Sequence, residues 1–137
     1  MLKYPNLSDE NLVATVKQWL ESGGSPHITH PDSGWSLLHY AADFQDVAAI
    51  EYLAELGCDL NVRDSYGQTP LHLAVDSEID DTVQTGEALD FKVTRRLIEL
   101  GAELTIRDNK GKTPLDWIDN YGEEARARYE EMLTQTA

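Results

Sequence analysis

Apolar side chains recur along this chain at helical spacing, in short separate blocks. Leu38, Ala41 and Ala42 form one block and Ile50, Leu53 and Leu56 the next; Leu71 and Ala74, then Val93, Leu97, Ile98 and Leu100, repeat the arrangement. Such recurrence predicts amphipathic helices in pairs and nominates these residues as core. Each pair is bracketed by punctuation. Ser36, Thr69 and Thr113 stand where first helices begin, offering side-chain oxygens to orphan amide protons, and Pro70 and Pro114 follow in the first turn, where a missing amide proton costs nothing. Leu37 takes the place of proline in the earlier unit, so Ser36 supplies most of that cap. Gly57 and Gly101 follow the second helices and suit the left-handed conformation that ends them. Two more helices are predicted at the flanks. Leu7 to Glu21 opens with Ser8 as its N-cap and acids in its first turn, and it stops before Gly23 and Gly24. Glu123 to Thr134 is polar on most faces, which suits a terminal covering helix. Trp19 and Trp117 are expected to pack at the two ends.

The paired blocks are copies of one unit. GWSLLH at 34–39, GQTPLHL at 67–73 and GKTPL at 111–115 open three units, while ELGCDLNVRD at 55–64 and ELGAELTIRD at 99–108 close two. Gly34 to Gly67 and His39 to His72 each span thirty-three residues, and Gly67 to Gly111 spans forty-four, an excess of eleven. Self-similarity at a fixed period marks a solenoid, whose units bury their apolar faces only by stacking. On these motifs residues 31–121 resemble the ankyrin repeat family, whose unit is a turn plus two antiparallel helices with TPLH opening the first. Asp64 to Arg107 matches best. The resemblance implies an all-α ankyrin repeat solenoid of about four helix-turn-helix units with terminal capping helices, as one domain over residues 1–137. Residues 1–30 are an N-terminal cap or degenerate repeat, 31–63 a repeat, 64–107 a repeat with an acidic insertion near 76–90, and 108–137 the final repeat with its capping helix. The last unit has no recognisable second-helix ending, so its final helix reads as a cap, as expected of a complete small protein.

Two places depart from the period. The excess residues fall between Leu73 and Phe91, in a stretch with Asp76, Glu78, Asp80, Asp81, Glu87 and Asp90 and no lysine or arginine. They are expected to bulge from the solenoid where its two helices join, as a contact for a partner or cation or as a longer, solvated helix end. The spacing of a calcium loop is absent. Pro31 stands where later units have Asp64 and Asp108, which predicts a different turn there.

Charge changes the functional picture. Twenty-five acids against eleven bases give a net charge of −14, which argues against nucleic acid and anionic membrane as partners. Acidity of this kind keeps a protein soluble or steers it toward a basic one. No apolar run approaches bilayer length and no signal-like segment opens the chain, so a soluble, cytoplasmic protein is expected. The single cysteine, Cys58, occupies the small-residue slot filled by Ala102 in the next unit and is expected to be a buried structural residue.

Candidate chemistry is sparse. His27 and His30 form a pair beside Pro26 and Pro31 without a third ligand, weak support for a metal-dependent sensor or enzyme. No glycine-rich phosphate loop, GxSxG or HExxH occurs, so the chain is read as non-enzymatic, without catalytic residues, metal or cofactor. The resemblance implies that His39 and His72 tie adjacent turns together, and that partners bind a concave face of turn tips and first helices. Carried over position by position, that face offers Trp35, Asp43, Phe44, Arg63, Tyr66, Gln68, Asp76, Arg107, Lys112 and Tyr121. Trp35, Phe44, Tyr66 and Tyr121 fall in slots that normally face solvent and match the aromatic anchors of interfaces. The expected function is a protein-protein interaction module for a basic protein, as an inhibitor or an immunity protein for a nuclease-like toxin. A scaffold or self-associating unit, monomeric or weakly oligomeric, is the alternative.

Overall fold

The computed structural model describes residue 7, residues 11–85 and residues 90–135. Seven helices lie within them: α1 Leu12–Glu21, α2 Leu37–Asp43, α3 Val47–Glu55, α4 Pro70–Thr85, α5 Lys92–Leu100, α6 Pro114–Asp119 and α7 Glu123–Gln135. They pair in sequence, α2 with α3, α4 with α5 and α6 with α7. First helices stack on first helices, α2 on α4 and α4 on α6, and second helices on second helices, α1 on α3 and α3 on α5. This is an all-α solenoid.

Local chemistry starts the first helices of the units where the sequence predicts. Ser36 Oγ accepts from His39 N while His39 Nδ1 accepts from Ser36 N at 3.0 Å, a reciprocal cap that Thr69 and His72 repeat at α4 beside Pro70. Thr113 and Asp116 close the same box at α6. Gly57 (φ +85°) and Gly101 (φ +117°) adopt the left-handed conformation expected after α3 and α5. At the N-terminal flank, α1 begins one residue after Asn11; the predicted cap Ser8 lies outside the described residues.

The core follows the predicted blocks. Leu38, Ala41, Ala42, Ile50, Leu53, Leu71, Ala74, Val93 and Leu97 are buried, and Leu56, Ile98 and Leu100 are half-buried against them. Trp19 is buried as expected and its indole N–H donates to Ser25 O at 2.8 Å. Cys58 is half-buried, its thiol directed at Pro26 O, and burial pushes that thiol upward from its ordinary pKa.

The insertion begins as a longer helix, one of the two expected alternatives, but its turns are not all solvated. α2 ends at Asp43, whose counterpart one unit later is Asp76, yet α4 continues through Thr85. The extra turns are partly internal. Ile79 joins Val75, Phe91, Ile118, Ala125, Tyr129 and Met132 in a second apolar cluster that holds α7 against the stack. Phe91 meets Tyr129 edge to face at 5.7 Å. Glu78 is only 5% exposed, and its carboxylate accepts from Val93 N (3.1 Å), Thr94 N (2.8 Å) and Thr94 Oγ1 (2.7 Å). It caps α5 from the neighbouring helix, because Phe91, the residue at the N-cap position, offers no side-chain acceptor. Asp80, Asp81 and Asp90 remain on the surface; Glu87 lies outside the described residues.

Candidate protein-binding face

The turns before α4 and α6 are built alike. Asp64 Oδ1 accepts from Tyr66 N and Gln68 N, both at 2.9 Å, and Asp108 Oδ1 accepts from Lys110 N and Lys112 N at the same distance. One carboxylate thus folds each tip and points the intervening side chains outward. The tip before α2 has no such aspartate, and His30 Nδ1 accepts instead from Asp32 N at 3.1 Å and Ser33 N at 3.4 Å. His30 is therefore a turn residue. Among the described residues no three histidine, cysteine or carboxylate groups could hold a metal together.

Neighbouring tips are stitched into one edge. Ser65 N donates to Ser33 O and Asn109 N to Tyr66 O, both at 2.9 Å, while Arg63 Nη2 reaches Arg107 O at 3.0 Å. Beneath them His39 Nε2 lies 2.7 Å from Gln68 O and His72 Nε2 lies 2.9 Å from Lys112 O. Carbonyl acceptors require protonated Nε2 atoms, leaving each Nδ1 free to accept from the cap amide. Burial, outweighing the carbonyl bonds, lowers both histidines from their ordinary pKa, so both are neutral at pH 7. They tie turn to turn. Gly34 (φ +72°) shows how close the tips pack, because a Cβ there would meet Ser65 N at 2.8 Å.

This scaffold divides the ten candidate residues. Tyr66, 67% exposed, and Tyr121, 45% exposed, project from it. Trp35 and Phe44, expected to face solvent, are half-buried against the core. Trp35 stacks on His39 and meets Tyr40 edge to face at 5.0 Å, and Tyr40 leans on Phe44, so they form a ridge supported from behind. Arg63 and Arg107 use part of their guanidinium groups on tip carbonyls, Gly67 O and Gly111 O, and keep their charge at the edge. Gln68 and Lys112 carry the histidine ties through their backbones and extend their side chains over the same edge.

Asp43 ends α2, and Asp76, its counterpart one unit later, lies at the same level within the longer α4. Ser77 Oγ donates to Asp43 O at 2.8 Å, and Tyr121 OH donates to Asp76 Oδ1 at 2.8 Å. Burial, then the charge of Asp76, raises the Asp43 carboxyl above its ordinary pKa. The hydrogen bond to Asp76, then burial and the charges of Asp76 and Asp80, pushes Tyr121 up to about 12. Negative potential is concentrated at this level.

Between the tips and α6 lies an open cleft of about 520 Å³, lined by Tyr66, Gln68, Asp108, Asn109, Lys110, Lys112, Trp117 and Asn120. Trp117 forms one wall, its indole N–H donating to Asp108 Oδ2 at 3.1 Å and its ring set edge to face against His72 at 5.2 Å. It packs at the C-terminal end of the stack as expected, against the second apolar cluster, and is half-buried there on the cleft. Trp117 was missed as a site residue, although the repeat register aligns it with Tyr40 and Leu73 and so places it on the same face.

The family model for ankyrin repeats, in three copies, matches residues 7–85, and the single ankyrin repeat model matches residues 66–109. Protein phosphatase 1 regulatory subunit 12A of Mus musculus is 36% identical over 63 residues, covering 46% of this chain and 6% of that protein. Neurogenic locus notch homolog protein 1 of Homo sapiens is 32% identical over 76 residues, covering 56% and 3%. A Rickettsia bellii protein named for its ankyrin repeats is 32% identical over 90 residues, covering 49% and 38%. The chain therefore spans a small part of the curated relatives it matches. Family models over more than half its length, stacked helix pairs and histidine-tied turns agree: the chain belongs to the ankyrin repeat family.

Proposed function

We propose that this chain is a protein-binding module whose first-helix and turn-tip face engages a partner with a basic surface and blocks that partner by covering it. Ankyrin repeats are protein-protein interaction modules, generally without catalysis of their own. The observation that carries the charge preference is the Asp43, Asp76 and Tyr121 group, where exposed aromatic surface adjoins carboxylates close enough to perturb one another. Carboxylates so placed suit lysine and arginine side chains that elsewhere hold phosphate, the arrangement an inhibitor or immunity protein of a nuclease-like toxin needs. Net charge of −14 adds long-range steering of a cationic partner. No helix among the described residues is long and apolar enough to cross a membrane.

Affinity capture from lysate at low and high salt, with wild type and an Asp43→Lys/Asp76→Lys variant as baits, tests this reading. A basic protein held by the wild type, released by salt and absent from the variant is the expected result. Equal retention by both baits, or an acidic protein captured, would overturn it; self-association on concentration would favour a scaffold.

A further inference from the structure

The cleft beside Trp117 differs in sign from the rest of the molecule. Arg63, Arg107, Lys110 and Lys112 gather at this one edge, and none is in an ion pair within 4 Å among the described residues. Three carboxylates oppose them, Asp64 and Asp108 folding the two tips and Asp116 at the start of α6, and each accepts from backbone amides. Burial acts to raise Asp108, but bonds from Lys112 N, Trp117 Nε1 and Lys110 N outweigh it and keep the carboxyl below its ordinary value. Four cations against three carboxylates leave the edge net positive in a chain whose net charge is −14. The cleft offers more than charge. Tyr66 and Trp117 provide apolar walls, and the side-chain amides of Gln68 and Asn120 carry no hydrogen bond to a described protein group.

We propose that this cleft seats an aspartate or glutamate side chain of the bound protein segment, held by the Lys110 and Lys112 ammonium groups against the Tyr66 and Trp117 rings. The proposal rests on the protein-binding reading and adds a direction to it. The acidic pole at Asp43 and Asp76 lies seven residues along the first helices from the turn tips, a distance of about 10 Å at a rise of about 1.5 Å per residue. A segment crossing the face therefore presents its carboxylate to the turn tips and its basic side chains to Asp43 and Asp76. Reversal places like charges together at both poles, which gives the face a preferred orientation.

Two blocked peptides separate this proposal from the reading beneath it. Acetyl-tetraglutamate-amide titrated into the full chain is expected to shift the backbone amides of Asn109, Lys110 and Lys112 and the Trp117 indole N–H in two-dimensional NMR spectra, against the overall repulsion between two anions. A Lys110→Gln/Lys112→Gln variant, with its other resonances in place to show that it is folded, is expected to raise the dissociation constant about ten-fold. Acetyl-tetralysine-amide is expected to shift Asp43, Asp76 and Tyr121 in both proteins. Absence of the glutamate-induced shifts, their persistence in the variant, or the same shifts with sodium chloride at matched ionic strength would overturn the cleft proposal. Failure of the lysine peptide alone would overturn the acidic-pole reading and leave the cleft standing.

Discussion

Replacing Glu78 by alanine removes the acceptor for three donors at once, Val93 N, Thr94 N and Thr94 Oγ1, in a site where the side chain is 5% exposed. An exposed N-cap residue changed to alanine costs about 1 kcal/mol. Here the orphaned donors are buried, each costing about 1–3 kcal/mol when unsatisfied, and some relaxation will admit water, so the expected loss is about 3–5 kcal/mol. Thr94→Val deletes only the hydroxyl donor and is expected to cost about 1–2 kcal/mol, with a Glu78–Thr94 coupling of similar size in a double-mutant cycle. Urea unfolding followed by far-ultraviolet circular dichroism reads both quantities. With a slope of about 2 kcal/mol/M, a 3 kcal/mol loss lowers the midpoint by about 1.5 M. A Glu78→Ala loss below about 1 kcal/mol, or a coupling near zero, would refute the assignment of Glu78 as the cap of α5.

The same carboxylate makes stability depend on pH. Burial, followed by a small push from Asp90, raises Glu78 above its ordinary 4.5 against the pull of its three hydrogen bonds, so the folded state holds its proton to higher pH than the unfolded state. That contribution is complete below 4.5 and lost as pH rises through the folded value; wild type should gain stability relative to Glu78→Gln on acidification from neutral pH, and a pH-independent difference would contradict this. In a Tyr129→Phe background, which removes the other tyrosine pushed up to about 12, ultraviolet absorbance titration should show Tyr121 ionising near 12. Asp76→Asn should bring that transition back toward 10, and an unchanged titration would mean that the Asp76 bond is not formed in solution.

Much of the scaffold is legible in the sequence because its backbone admits few residue types. A left-handed turn favours glycine at 57 and 101, and orphan amides at a helix start favour Ser36, Thr69 or Thr113. Glu78 is different. In the sequence it is one acid among several, and its burial depends on α4 outlasting α2 and on the start of α5 arriving beside it, neither of which periodicity states. His30 was visible only as half of a weak metal pair, because its turn role follows from the absence of an aspartate at Pro31. For the binding face, the sequence names the positions and the fold supplies their exposure. Tyr66 projects while Trp35, in a slot expected to face solvent, leans back onto His39.

Repetition makes the comparison between slots an argument of its own. Asp64 and Asp108 fold identical tips, yet Asp108 Oδ2 receives the Trp117 indole while Asp64 Oδ2 is buried without a partner among the described residues, because Leu73 stands where Trp117 stands one unit later. A structural demand common to every unit would be met alike in each, as the glycines and the two histidine ties are. The slots that change from unit to unit are Trp35, Gln68 and Lys112 at the tips and Tyr40, Leu73 and Trp117 on the first helices, and the first-helix set packs differently in each unit. Leu73 leaves a buried carboxylate oxygen unmatched at a cost of about 1–3 kcal/mol. The departure is accounted for by packing, because Leu73 is buried in the core that α2 and α4 share, whereas Trp117 packs against the second apolar cluster and stays half-buried on the cleft wall.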